Sequence, residues 1–154
     1  MLRLLIATFG SFGDLYPYLA IGAELRRRGL GVTIATSSSY QTIVEAEGLA
    51  FHAVRPDVDL HDRAMVESFM DARRGSERII RFLTGLVLEN YEDTLEAARH
   101  ADVIVTHPIT FGAVLAAQKL RLPWISTVLA PMLMLSAHDP PVMADVPGMV
   151  HVLN

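Results

Sequence analysis

Two short segments of the sequence carry side chains that could perform chemistry, and each follows an apolar run. The first is a glycine-rich turn at residues 10–14 that ends in the carboxylate of Asp14, and the second begins at His107. A carboxylate at the mouth of a crevice can act as a general base that removes a proton from a hydroxyl group. A single histidine after a buried strand is more often packed and hydrogen-bonded than catalytic. Asp14 is therefore the stronger candidate for a reacting group.

The carboxylate of Asp14 has two interpretations that the residues alone leave open. Aspartate is among the best residues for capping the N-terminus of a helix, where it contributes about 1 kcal/mol. As a general base, Asp14 would be kept ionised, and made weaker, by the positive end of the helix dipole. Burial against Phe9, Phe12 or an apolar substrate would act in the opposite direction and raise its pKa.

The remaining residues of ligand type do not predict a metal site. Asp57, Asp59, His61 and Asp62 form one cluster in an irregular stretch, and no second cluster accompanies it, so we expect a solvated loop there. The chain has no cysteine, which excludes disulfides, thiolate metal sites and a cysteine nucleophile. Four methionines near the end of the chain are expected to form an adaptable apolar lining: Met132, Met134, Met143 and Met149.

The elements that must position these residues alternate between strand and helix patterns. Short apolar runs predict buried strands, and apolar residues at three- and four-residue spacing predict amphipathic helices. A Ser-x-x-Gln capping box at residues 38–41 predicts the start of a short helix. Strands are expected at residues 2–8, 31–36, 49–54, 102–106 and 123–129. Helices are expected at residues 15–28, 38–47, 77–98 and 108–120, with one short helix around 63–73 in an otherwise irregular 55–76 and no convincing pattern over 130–154.

This alternation predicts an α/β fold, a doubly wound, Rossmann-like parallel sheet with strand order 3-2-1-4-5 in a single domain. Ligands bind such sheets where the winding reverses, so residues 9–14 and 107–111 should meet at one edge. The turn is not a dinucleotide fingerprint, because Gly10-x-x-Gly13 lacks the Gly-x-Gly-x-x-Gly spacing and Thr36, not an acidic residue, ends the second strand. A dehydrogenase is disfavoured, since Asp14 would also repel a pyrophosphate at the helix N-terminus.

Composition narrows the possible partners of the 154-residue chain. It is 51% hydrophobic and 19% charged, which excludes disorder, and its net charge is −4 with a pI near 5.8. That balance argues against nucleic acid or an anionic membrane as the main partner. The longest apolar region, residues 122–137, is interrupted by prolines and polar residues and is too short for a membrane helix. We expect a soluble, cytoplasmic protein.

Three spaced segments closely resemble one enzyme family. Residues 10–17 have the pattern Gly-Ser-x-Gly-Asp-x-x-Pro within an opening, residues 8–29, that is similar to the GT-B glycosyltransferases of the sterol glucosyltransferase, antibiotic glycosyltransferase and rhamnosyltransferase group. Residues 107–112 and 122–132 resemble the fourth and fifth strand ends of the same domain, the family 28 N-terminal type. The resemblance extends over nearly the whole chain and is weakest over 55–76.

The resemblance implies the acceptor-side half of an inverting glycosyltransferase that moves a hexose from a UDP- or dTDP-sugar to a hydroxyl of a small apolar acceptor. It implies no resident cofactor and no metal. The C-terminal donor-binding domain is absent from the chain, which should be inactive alone. Position by position, it implies Asp14 as catalytic base, Gly10, Ser11 and Gly13 as the loop toward the donor phosphates, and Phe12, His107, Thr110 and Phe111 as acceptor-binding residues.

One rival from another class remains, a stand-alone α/β module that binds a small ligand or a partner protein without catalysis. Whether the gene continues into a second α/β domain would distinguish the two. A domain built to oppose another leaves apolar residues uncovered, so we also expect homo-oligomers through the exposed interdomain face. The contacts should be Phe12, Phe111 and residues 132–135.

Overall fold

The computed structural model describes residues 1–59 and 62–130, and they form a parallel five-stranded sheet with helices on both faces. The strand order is β3-β2-β1-β4-β5, so the predicted fold class and order are confirmed. β1 is central, and Ile6 within it is in register with Ile34 of β2 and Val105 of β4. The strands are β1 (Arg3–Ala7), β2 (Gly31–Thr36), β3 (Ala50–Ala53), β4 (Val103–Thr106) and β5 (Trp124–Ser126).

Six α-helices connect and cover these strands within the described ranges. The helices are α1 (Phe12–Arg27), α2 (Gln41–Ala46), α3 (Arg63–Phe69), α4 (Gly75–Gly85), α5 (Val87–Ala97) and α6 (Phe111–Leu120), with short 3-10 helices at Ser38–Tyr40 and Ala98–His100. None of the helices in the part of the chain that the structure describes is long and apolar enough to cross a membrane.

The core is divided by the sheet into two layers. Side chains alternate along β1, so Ile6 packs on one face while Leu5 and Ala7 pack on the other. Because both faces are covered, the central strands read as continuous apolar runs. The first layer joins the sheet to α1 and α2 through residues such as Leu15, Tyr18, Leu19, Tyr40 and Val44, and the second joins it to α6 through Ala113 and Ala117.

The region between β3 and β4 differs most from the prediction. Instead of one helix over 77–98 there are two, α4 and α5, separated at Leu86. Glycine is a poor helix former, and Gly85 closes α4 at this break. The expected short helix exists as α3, which begins after Asp62, whose side chain accepts a hydrogen bond from the Met65 amide. The predicted single helix is therefore two shorter ones.

The predicted capping box at residues 38–41 is wrong. Residues Ser38–Tyr40 form a 3-10 helix, and α2 begins at Gln41 without a side-chain cap. The serines are bonded elsewhere: the hydroxyls of Ser37 and Ser38 both donate to the Asp57 carboxylate. Asp57 thus fastens the segment after β3 to the end of β2. His61, the four methionines of the predicted lining and residues 132–135 lie outside the described residues.

The segment that leaves β3 is bonded to α5 at Arg55, which two residues of α5 contact. The Arg55 amide donates to Oδ2 of Asp93 at 2.8 Å, and its guanidinium forms two further bonds to the same carboxylate. The side-chain amide of Asn90, one turn earlier, donates to the Arg55 carbonyl. At the opposite side of the described sheet, β5 is an exposed edge, with Trp124 and Ile125 exposed by 42% and 54%.

Candidate functional site

The turn after β1 requires a glycine at its first position. Gly10 has φ of 133°, in the region that side-chain-bearing residues rarely adopt, and a Cβ atom there would overlap the carboxylate of Asp14. The Gly10 carbonyl accepts a hydrogen bond of 2.8 Å from the Tyr40 hydroxyl. The turn therefore brings the Asp14 side chain back over the backbone of Gly10, at the carboxyl end of β1.

Asp14 is held by a capping box that opens α1. Ser11 is the N-cap residue, and its hydroxyl accepts a hydrogen bond of 3.3 Å from the Gly13 amide. In return, Oδ2 of Asp14 accepts hydrogen bonds from the Ser11 amide at 2.8 Å and the Ser11 hydroxyl at 3.1 Å. Asp14 is thus the third residue of the helix rather than its cap, which corrects the position that the capping interpretation gave it.

The turn after β4 is built around the backbone of His107. Its amide donates to the Ala7 carbonyl at 2.9 Å, which extends the pairing of β1 with β4 by one step. Its carbonyl accepts hydrogen bonds from the Thr110 amide and the Thr110 hydroxyl, at 3.0 and 2.7 Å. Both His107 and Thr110 are buried. Thr110 is therefore committed to closing the turn that leads into α6.

The two turns meet through their titratable side chains. Nε2 of His107 lies 3.4 Å from Oδ1 of Asp14, the carboxylate oxygen that Ser11 does not hold. On the other side of the ring, the amide of Ile109 approaches Nδ1 at 3.5 Å. The imidazole is 4% exposed and the Asp14 side chain is 34% exposed. Asp14 consequently has one face toward protein and one toward solvent.

The imidazole is packed edge-on against a second anchored ring. The ring centroids of Tyr18 and His107 lie 6.2 Å apart, with their planes at 81°. The Tyr18 hydroxyl is 2.6 Å from that of Thr127, which in turn donates to the Thr106 carbonyl. Because the only hydroxyl proton of Thr127 goes to Thr106, Tyr18 is the donor in its bond to Thr127. These two hydrogen bonds fix the Tyr18 ring against which the imidazole packs.

Electrostatics keep the Asp14 carboxyl ionised. Burial raises its pKa, but the contact with His107 and the hydrogen bonds from the amide and hydroxyl of Ser11 together outweigh burial, so the pKa lies below its ordinary value. The charge of Asp14 also acts on nearby phenols: the pKa values of Tyr18 and Tyr40 are raised, mainly by burial and further by this carboxylate. The site is therefore an accessible anion surrounded by neutral aromatic groups.

An apolar cavity lies beside the turn that follows β4. It measures about 10 Å³, the space of roughly one water molecule. Of the four residues expected to bind an acceptor, Thr110 and Phe111 line it, whereas His107 does not and instead contacts Asp14. Phe12 is on the surface, stacked on Tyr16. The other lining residues are Phe9, Pro56, Leu83, Val87, Asn90, Ile109 and Gly112.

The sequence pattern predicts that Asp14 and His107 lie at the same edge of the sheet, but it does not predict the contacts that hold their side chains. It assigns Ser11 only to a loop, although Ser11-x-x-Asp14 is an acidic variant of the capping-box spacing and is a recognisable signal. Tyr18 and Ile109 carry no such signal, because their contacts with His107 come from the tertiary arrangement of two turns. Within the described ranges no group of three acidic or histidine side chains could hold a metal ion.

Comparison with known proteins agrees with this architecture. The family model described as the glycosyltransferase family 28 N-terminal domain matches residues 4–127. The sterol 3-beta-glucosyltransferase of Yarrowia lipolytica is 26% identical over 126 residues, which cover 82% of this chain and 9% of that protein. The corresponding enzyme of Debaryomyces hansenii is 27% identical over 127 residues, covering 82% of this chain and 8% of its own length.

Solved structures show the same arrangement of strands and helices. The glycosyltransferase SsfS6 of Streptomyces sp. SF2575, in complex with thymidine diphosphate, superposes with a TM-score of 0.65 at 25% identity, covering 82% of this chain and 38% of that one. SnogD from Streptomyces nogalater gives a TM-score of 0.63 at 22% identity, covering 86% and 35%. The chain thus spans under a tenth of the two sterol glucosyltransferases and a little over a third of these structures.

Proposed function

The chain belongs to the glycosyltransferase family 28 N-terminal domains, and from this we propose that it is the acceptor-binding half of an inverting, nucleotide-sugar-dependent glycosyltransferase. Both the relatives matched by sequence and the neighbours matched by structure are glycosyltransferases. The chain covers only the smaller part of each, so the other half of the cleft would be supplied by a donor-binding domain. A UDP- or dTDP-sugar would be the co-substrate.

We propose Asp14 as the general base of this reaction. Its carboxylate is ionised, about a third exposed, and located at the point where the winding of the sheet reverses. In the proposed step, the acceptor oxygen forms a bond to the anomeric carbon while the bond from that carbon to the donor phosphate breaks. The acceptor proton passes to Asp14, and the nucleoside diphosphate leaves with the bonding electrons. A single displacement of this kind inverts the anomeric centre.

The loop residues Gly10, Ser11 and Gly13 are proposed to face the donor phosphates. The support is their place at the N-terminus of α1, where backbone amides favour an anion. In this structure the Ser11 amide is already bonded to Asp14, and the Gly13 amide to the Ser11 hydroxyl. A donor phosphate would therefore compete with groups of the turn itself for these two amides.

The acceptor is proposed to be apolar and to enter beside Phe9 and Phe111. The cavity at this place is lined mainly by aromatic and aliphatic side chains, among them Leu83 and Val87 of the two helices that cover it. At its present volume of about 10 Å³ it would have to widen before an acceptor could enter. Movement of α4 relative to α5 at the Leu86 break would open it from the side.

The proposal depends most on one observation: the Asp14 carboxylate is hydrogen-bonded by Ser11 and yet remains accessible to solvent. Substitution of Asp14 is therefore the test. In a two-domain enzyme that contains this domain, Asp14→Asn should lower the turnover number by roughly 10²–10⁴-fold, with little change in acceptor KM. Asp57→Asn is the matched control, because Asp57 is likewise held by serine hydroxyls but lies in the segment after β3. Its turnover should stay near that of the parent. Turnover above about a third of wild type for Asp14→Asn would refute the assignment.

A further inference from the structure

His107 has a buried nitrogen that the fold does not otherwise use. Nε2 is fully enclosed, and its nearest acceptor among the described residues is Oδ1 of Asp14, at 3.4 Å. This distance is longer than a well-formed hydrogen bond, but no other described group competes for the nitrogen. Burying a polar atom without a hydrogen-bond partner costs free energy of folding, so such an atom in a folded protein calls for an explanation. The pairing with Asp14 accounts for it.

The surroundings of His107 determine which nitrogen carries the proton. The amide of Ile109 points at Nδ1, and an amide can only donate, so Nδ1 must be the unprotonated nitrogen of the neutral ring. The proton then resides on Nε2 and faces Asp14. The ring has little freedom to turn away, because its backbone is bonded to Ala7 and Thr110 and its edge rests against Tyr18.

We propose that His107 is a positioning residue for Asp14, which presents its Nε2–H to Oδ1 while Ser11 holds Oδ2. Each carboxylate oxygen of Asp14 then has a partner in a different turn, Ser11 in the turn after β1 and His107 in the turn after β4. This arrangement fixes the direction of the carboxylate and leaves the solvent-facing side free for an acceptor hydroxyl. In this arrangement His107 would act on the acceptor only through Asp14, in place of the direct contact that the resemblance implies. The catalytic consequence rests on the proposed function, but the pairing does not.

The pairing can be tested on this chain by NMR, without any enzymatic activity. In wild type, the imidazole nitrogens of neutral His107 should show the tautomer with hydrogen on Nε2, with His107→Gln used to assign the resonance among the six histidines. Hydrogen on Nδ1 would overturn the proposal. This measurement needs no variant of uncertain stability and decides the question even if a substitution at position 107 fails to fold.

A matched pair of substitutions separates the two ring nitrogens. Asparagine places an acceptor near the Nδ1 position but cannot reach Asp14, whereas glutamine places an N–H near the Nε2 position. His107→Asn should raise the pKa of the Asp14 carboxyl, followed by its carbon resonance, because the Nε2 contact that lowers this pKa is lost. His107→Gln should leave it closer to the wild-type value. Equal titration of Asp14 in wild type and His107→Asn would overturn the pairing.

Steady-state kinetics distinguish a positioning residue from a residue that contacts the acceptor. In a two-domain enzyme, His107→Asn should lower kcat by up to roughly 100-fold, the effect of misplacing a catalytic group by about 1 Å, with acceptor KM unchanged. His107→Gln should recover part of this loss. A raised KM with unchanged kcat would instead make His107 a binding residue. If the enzyme transfers no sugar at all, the proposed function fails while the NMR measurements still decide the pairing.

Discussion

At the scale of single residues, the carboxylate of Asp14 closes the capping box of α1 and is also the proposed general base. Oδ2 closes the capping box of α1, and Oδ1 faces His107. The sequence alone allowed a choice between a cap and a base, because residue types near a helix start are compatible with both. In the structure the two oxygens of this one group have different neighbours, Ser11 for Oδ2 and His107 for Oδ1. Replacing this residue therefore changes folding and the site together, and each effect needs its own measurement.

The first prediction concerns the pH dependence of stability. The folded-state pKa of Asp14 is lowered, so its stabilising effect is present above its unfolded pKa and is lost as pH falls through the folded value. At pH 7, Asp14→Asn should lower the free energy of unfolding by about 0.5–1 kcal/mol, through loss of an anion at the helix N-terminus. The difference between the two proteins should shrink below about pH 4. Urea unfolding at pH 7 and pH 3 measures it, and a constant difference would contradict it.

The second prediction compares two glycines of the same turn. Gly10→Ala should destabilise the chain by about 1–3 kcal/mol, because φ of 133° is strained for alanine and the new Cβ overlaps the Asp14 carboxylate. Gly13→Ala is the control: it lies in α1, its Cβ would be 3.5 Å from the Ser11 hydroxyl, and alanine favours the helix. Gly13→Ala should be neutral or stabilising by up to about 1 kcal/mol. Thermal unfolding with similar losses for both would refute this reasoning.

At the scale of elements, the sequence predicted what depends on local pattern and missed what depends on distant contacts. The central strands and their order follow from apolar runs and right-handed crossovers, and both are confirmed. The serines after β2 matched a capping pattern but are bonded to Asp57, 19 residues away. The break at Leu86 was missed because apolar spacing continues across it. A local window contains neither the partner of Ser38 nor the packing that separates α4 from α5.

The third prediction belongs to the contact between α5 and α6. Gly112 is the second residue of α6, and a Cβ there would overlap Asn90 and the backbone amide of Tyr91. Gly112→Ala should therefore destabilise the chain by about 1–3 kcal/mol, despite the higher helix propensity of alanine. Gly85→Ala is the matched control, since nothing described lies within 4 Å of its Cβ position. Denaturant unfolding of both variants tests it, and a neutral Gly112→Ala would show that the helices can separate at little cost.

At the scale of the whole molecule, the proposed site occupies one edge of the sheet. The Asp14 carboxylate, the amides at the start of α1 and the cavity beside Phe111 all lie at the carboxyl ends of β1 and β4. The position of this edge could be predicted from topology, since it depends only on strand order. The lowered pKa of Asp14 could not be predicted in this way, because the groups that contact its carboxylate lie 3 and 93 positions away along the chain.

The fourth prediction concerns nucleotide sugars and this chain by itself. Isothermal titration with UDP- and dTDP-sugars should show no binding at micromolar concentrations, because the amides of Ser11 and Gly13 are engaged within their own turn. Asp14→Asn serves as the informative variant, since it weakens that competition without adding a contact. Micromolar binding by the wild-type chain would contradict the proposed division between an acceptor half and a donor half. It would favour a stand-alone binding module.

The exposed edge strand gives the molecule an optical reporter. Trp124 is the only tryptophan of the chain, lies in β5 in register with Ile104, and has an indole that is 42% exposed. The emission of an indole moves to shorter wavelengths when water around it is replaced by apolar groups. Anything that packs against β5, whether another polypeptide or a second copy, would therefore shift the intrinsic fluorescence. Asp14 follows the carboxyl end of β1, two strands away from β5, whereas this indole stands at the first residue of β5. Events confined to Asp14 should leave the signal unchanged, so covering of the edge and occupation of the site can be followed separately in one sample.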